Sequence, residues 1–120
     1  MAWVYGLLFI FSSVLSSVNA NKDGTLSFSY YPTDSVKWCK VGNVVTISNL
    51  DDIQDIPAGG WNEIGTLPSD IRPRFTFVVR SSTNMNLAYR FYPSGVVTVY
   101  NYGNAVSGVI NGSFFATYVT

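Results

Sequence analysis

Histidine is absent from the 120-residue chain, and cysteine occurs once, at Cys39. The first absence removes the usual proton shuttle and the commonest metal ligand. The second excludes an internal disulfide, a CxxC redox motif and a Cys-His zinc site. Serine and cysteine nucleophiles are left without an imidazole base, and no GxSxG, GxxxxGK[ST] or GxGxxG occurs. Charge is scarce too. Seven Lys and Arg balance seven Asp and Glu, 12% of the chain, about half the usual share of roughly 25%. Without a basic excess, phosphate neutralisation does not support nucleic-acid binding. Glu63 is the only glutamate, and no strand pairing legible in the sequence sets a second acid beside it as glycoside hydrolysis requires. No catalytic residue, metal site or cofactor is therefore expected, and the chain is read as non-enzymatic.

Aromatic residues are plentiful instead: 3 Trp, 8 Tyr and 8 Phe. That content excludes a disordered acidic tail. The length suits one domain of ordinary size. Residues 1–20 are uncharged, with the apolar run Trp3-Val4-Tyr5-Gly6-Leu7-Leu8-Phe9-Ile10-Phe11 followed by a serine-rich stretch. Val18 and Ala20 stand where a signal peptidase prefers small residues. The segment is a hydrophobic leader: a signal peptide, a truncated or miscalled start, or an anchor. Residues 21–120 are taken as the single domain.

Within that domain twelve residues are valine, while Glu, Ala, Leu and Lys are few. This is sheet composition, and the periodicity agrees. Phe75, Phe77 and Val79 alternate with Arg74, Thr76 and Val78. Leu87, Tyr89 and Phe91 alternate with Ala88, Arg90 and Tyr92; Val97 and Val99 alternate with Val96, Thr98 and Tyr100. Further strands are expected over Leu26 to Tyr31, Ser35 to Val41, Val44 to Leu50, Trp61 to Leu67 and Phe114 to Val119. Val41-Gly42-Asn43-Val44 and Tyr92-Pro93-Ser94-Gly95 read as hairpin turns. About eight short strands imply an all-β fold, an antiparallel β-sandwich or jelly-roll-like head.

Several features are assigned bland roles. Asp51, Asp52 and Asp55 form an oxygen-rich loop without the EF-hand pattern and are read as a solvated strand end. Cys39, mid-strand, is read as a small buried apolar side chain. Asn111-Gly112-Ser113 is a glycosylation sequon that matters only in a secreted eukaryotic chain. Phe75, Phe77, Tyr89 and Phe91 are assigned to the core. On the opposite pleat lie Arg90 and Tyr92, near Val96, Thr98 and Tyr100. Tyr and Arg together suit a subunit interface or a sugar contact, or are simply exposed. Trp61, beside Gly59-Gly60, is a separate candidate on a loop edge, a ligand contact or a plug at one end of the sandwich.

The order of several segments carries a resemblance. Lys40-Val41-Gly42-Asn43-Val44-Val45-Thr46 is followed by Gly65-Thr66-Leu67-Pro68 and Arg72-Pro73, then by Gly95-Val96-Val97-Thr98-Val99-Tyr100 and Ala116-Thr117-Tyr118. Over roughly residues 25–120 the chain resembles the C-terminal head domains of tail-fibre and baseplate receptor-binding proteins from phages and prophages of Gram-positive hosts. The resemblance implies a homotrimeric β-sandwich in the virion tail that binds bacterial surface saccharide and contacts other tail subunits, without nucleic acid or cofactor. It carries over no catalytic or binding residue by position. The alternatives are a purely structural fibre module and a small secreted β-sandwich protein.

Overall fold

Segments of Val, Ile, Phe and Tyr with period two become strands because branched and aromatic side chains pack well on a pleated surface. The computed structural model describes residues 21–120, so the leader expected over residues 1–20 lies outside the described residues. Ten strands follow one another: β1 (Lys22–Leu26), β2 (Val36–Val41), β3 (Val44–Asn49), β4 (Asp52–Gln54), β5 (Asn62–Thr66), β6 (Phe77–Arg80), β7 (Leu87–Phe91), β8 (Val96–Asn101), β9 (Val109–Asn111) and β10 (Phe114–Val119). The helical content of the described residues is one 3-10 turn at Ser69–Ile71. No helix among them is long and apolar enough to cross a membrane.

All pairings are antiparallel. One sheet has the order β1-β2-β3-β10 and the other β5-β8-β7-β6, while β4 and β9 form a separate ribbon. The all-β sandwich class is as the periodicity implies. Both expected hairpins form. Val41 pairs with Val44 across Gly42-Asn43, with Gly42 at φ 58°. In the second, Tyr92 N–H bonds Val96 O at 3.0 Å and Gly95 takes φ 94°.

The core lies between the two sheets. Val36, Val45, Ile47, Phe114, Ala116 and Tyr118 face Ile64, Leu87, Tyr89, Phe91, Val97 and Val99, all buried. Phe114 sits among the rings, 4.4 Å from Tyr89 and 6.4 Å from both Phe28 and Phe91 by centroid. Phe77 stacks on Phe91 at 4.8 Å. A single ion pair occurs among the described residues, Lys22 to Asp70 at 3.7 Å, between well-exposed side chains. Burial of apolar surface, at about 25 cal/mol per Å², is the main stabilising term here.

Four expectations are corrected. The strand expected over Leu26 to Tyr31 ends at Leu26 and starts earlier, at Lys22. Tyr30 adopts φ 73°, which no strand tolerates, and the bend it makes sends Phe28 and Tyr31 into the core from a loop. The count rises from about eight to ten because β4 and β9 are three residues each, too short for alternation to register. Phe75 is 74% exposed, since β6 begins only at Phe77 and the preceding bend follows Pro73. Cys39 is exposed: Val36 fixes the inward pleat of β2, which turns Lys37, Cys39 and Val41 to the other side.

Candidate ligand-binding face

The outward pleat of the β5-β8-β7-β6 sheet is set by its register. Arg90 lies opposite Thr98 on β8 and Val78 on β6; Ala88 lies opposite Tyr100 and Arg80. With Tyr89, Phe91, Val97 and Val99 buried inward, these partners share the outer face. Trp61 joins them by a local device. Gly59 and Gly60 both take positive φ, 68° and 65°, a conformation costly for any residue with a Cβ. Gly59 N–H bonds Asn101 O at 2.9 Å, and Asn62 Nδ2 donates to Gly59 O at 3.3 Å. The turn thus binds to the end of β8 and sets Trp61 beside Tyr100, their centroids 5.2 Å apart and edge-on.

A continuous row of rings and guanidinium groups results. Arg90 places Cζ 4.0 Å from the Trp61 centroid and 6.0 Å from that of Tyr92, and its Nη1 donates to Tyr92 Oη at 3.2 Å. Tyr100 stacks on Tyr102 at 4.2 Å, and Arg80 Cζ lies 5.1 Å from the Tyr102 centroid. The sequence is Tyr92, Arg90, Trp61, Tyr100, Tyr102, Arg80. A guanidinium over an aromatic face is attracted by the ring quadrupole, by about 0.5–1 kcal/mol at exposed sites and about 2 kcal/mol when desolvated. Among the described residues neither arginine has an ion-pair partner. Glu63 points to the same side from β5, opposite Thr98, and reaches neither of them.

Thr98 is the odd member of this face. It is 7% exposed, and its Oγ1 has no hydrogen-bond partner. A buried hydroxyl left unpaired costs about 1–3 kcal/mol.

All four residues singled out from the sequence are brought together. Arg90, Tyr92 and Tyr100 share the pleat that alternation assigns them, and Trp61 belongs to the same row instead of standing apart at a loop edge. Arg80 and Tyr102 escaped sequence reading. Arg80 is legible in retrospect from its spacing after Val78, whereas Tyr102 lies one residue past β8. Its placement depends on loop bonds: Tyr102 N–H to Asn86 O at 2.7 Å and Asn101 Nδ2 to Asn104 O at 2.8 Å.

Elsewhere the surface of the described residues includes two hollows. A groove of about 430 Å³ runs between β6 and β10, lined by Pro73, Phe75, Phe77 and Thr117 to Val119. Another of about 390 Å³ is bounded by Tyr31, Pro32, Asp51, Asp52, Gln54 and Val109. Asp55 is tied to the loop before β9, its Oδ1 accepting from Gly108 N at 2.8 Å. Among the described residues no three Asp, Glu or Cys side chains gather as metal ligands would. Asn111 of the sequon accepts from Thr83 Oγ1 and Ser113 Oγ, at 2.8 and 3.0 Å.

Fold and face together define an all-β sandwich with a cation–aromatic row on one outer sheet. No family model matches the chain, and no curated protein matches it.

Proposed function

We propose that this chain is a non-enzymatic receptor-binding domain of a phage tail fibre or baseplate that engages bacterial surface carbohydrate. The observation that carries the reading is the Tyr92-Arg90-Trp61-Tyr100-Tyr102-Arg80 row. The exposed Tyr102 ring, the half-buried rings of Trp61, Tyr92 and Tyr100, and the phenol hydroxyls and guanidinium N–H groups beside them suit recognition of sugar rings and hydroxyls. The segment order of tail-fibre heads supports the rest of the assignment, including the virion location and the threefold number.

Arg90, Tyr92 and Tyr100 suit either a subunit contact or a sugar, and a second surface favours the sugar. On the outer face of the β1-β2-β3-β10 sheet, Val41, Val44 and Val119 lie side by side by register. Each is nearly half exposed, and Phe115 on the same face is more so. Apolar residues grouped in this way are what subunit contacts bury. Assembly through this sheet leaves the cation–aromatic row free on the opposite one. Copies on one particle then add their weak affinities by raising effective concentration.

Adsorption of the labelled chain to Gram-positive cells, with and without enzymatic removal of wall glycans, tests the reading. Binding that disappears with the glycans, and falls at least about tenfold in Trp61→Ala, is the expected result. Unchanged adsorption to stripped cells refutes it. A monomer at micromolar concentration refutes the trimer.

A further inference from the structure

The geometry points to a negatively charged saccharide chain as the ligand of this face, its acidic groups held by Arg90 and Arg80 and its hydroxyls met by the phenol groups of Tyr92, Tyr100 and Tyr102. This rests on the carbohydrate reading above and narrows it.

The first ground is how the ring faces are used. A neutral pyranose is gripped by a bare aromatic face. Here Trp61 has Arg90 against it at 4.0 Å, and Tyr102 has Tyr100 at 4.2 Å and Arg80 at 5.1 Å. Each of these rings already has a partner. What the row offers outward is guanidinium edges and phenol hydroxyls, which are donors for anionic oxygens.

The second ground is charge. Among the described residues neither the half-buried Arg90 nor Arg80 has a carboxylate at ion-pair distance. Stacking occupies the flat face of a guanidinium and leaves its in-plane donors available. Arg90 spends Nη1 on Tyr92 Oη, and Arg80 spends Nη1 on Met85 O; the remaining N–H groups of both have no protein acceptor in the described residues.

The third ground is spacing. Arg80 pairs with Ala88, and Arg90 follows Ala88 by two on the same pleat. The two arginines are therefore diagonal neighbours, with Cα atoms about 7–8 Å apart. A chain with recurring acidic groups meets both; a single small anion meets one. Stacked nucleobases are disfavoured by the first ground, since single-strand binders present open rings.

Titration calorimetry on the full chain tests this with four probes: trigalacturonate, its neutral methyl ester, a phosphodiester-linked mannose oligomer and a thymidylate oligomer. Trigalacturonate or the mannose-phosphate oligomer should bind at least about tenfold more tightly than the ester, and the preference should shrink in 0.5 M salt. Which of the two binds separates carboxylate from phosphate recognition. Arg80→Gln, an exposed substitution, should cut the preference for acid over ester at least about threefold while moving the melting temperature by no more than a few degrees, roughly the loss of one exposed cation–aromatic contact. Ester bound as tightly as acid overturns the anionic inference and leaves the carbohydrate reading standing. Thymidylate bound above every saccharide, or no saccharide bound, overturns both.

Discussion

Tyr31 and Tyr89, 58 residues apart, converge on one acceptor, the carbonyl of Gly112. Tyr31 Oη lies 2.7 Å from it and Tyr89 Oη 3.0 Å, and the two hydroxyls are 2.5 Å from each other. Two protons serve three contacts, so each hydroxyl depends on the other. Gly112 has no room for a side chain there, since a Cβ would stand 2.5 Å from Ile53 Cγ2. This node joins the loop before β2, strand β7 and the turn between β9 and β10.

Tyr89→Phe should therefore destabilise the fold by about 1–2 kcal/mol, the usual cost of losing a buried hydrogen bond. Tyr31→Phe should cost a similar amount. The double variant should cost less than the sum, because each single change already disrupts the shared arrangement. Urea unfolding of the four proteins measures all three quantities. Strict additivity would show that the hydroxyls act independently.

Burial also raises the ionisation of these phenols. Desolvation pushes Tyr89 up from 10.0 to about 12 and raises Tyr31 further, with help from the neighbouring Tyr89; Tyr118, donating to the Ile71 carbonyl, is raised by desolvation. In the unfolded chain these groups lose protons near pH 10, before the folded chain does. The contribution to stability is fully present below about pH 10 and declines as pH climbs towards and past 12. Urea midpoints should thus hold steady from pH 7 to 9 and fall between 10 and 11.5. The fall should be shallower in Tyr89→Phe.

Gly95 closes the hairpin that brings Arg90 opposite Thr98. Its φ is 94°, and a Cβ would come within 2.9 Å of Leu67 O. That carbonyl also accepts from Arg72 Nε at 3.2 Å. Gly95→Ala should cost about 2–3 kcal/mol through backbone strain and displacement of Arg72. Thermal unfolding checks it, and a shift no larger than that of a surface Gly→Ala change would contradict the account.

Thr98→Val should act in the opposite direction. The substitution keeps the branched shape and removes a buried hydroxyl that has no partner. A gain of about 1 kcal/mol in stability is expected. A loss would mean that an ordered water already satisfies Oγ1.

Much of this is legible in the sequence. Strict alternation in Leu87–Phe91 and Val96–Asn101 assigned Tyr89, Phe91, Val97 and Val99 to one side and Arg90 and Tyr100 to the other, because a pleat leaves no third choice. Turn chemistry at Gly42 and Gly95 fixed two hairpins. The errors arose where local pattern has no authority. Phe75 continues the alternation of Phe77 and Val79, yet the strand does not reach it. Cys39 has a hydrophobic side chain but lies on the wrong pleat. Phe28 and Tyr31 are core residues held by a bend at Tyr30, a residue type seldom found at positive φ. Trp61 was visible as an aromatic and invisible as a neighbour of Arg90, since their approach depends on the pairing of β5 with β8 and on two glycines in unusual conformations. Tyr102 owes its place to asparagine bonds in a loop.

One exposed pair, Lys22 and Asp70, is the whole ionic contribution within the described residues, and pairs of this kind contribute at most about 1 kcal/mol. Sodium chloride then has little to screen inside the scaffold. Adding it should leave the melting curve where it is while eroding whatever attraction Arg80 and Arg90 exert on a passing anion. On the proposed reading, ionic strength is an independent dial: it would release an anionic ligand from the surface without loosening the architecture that presents it.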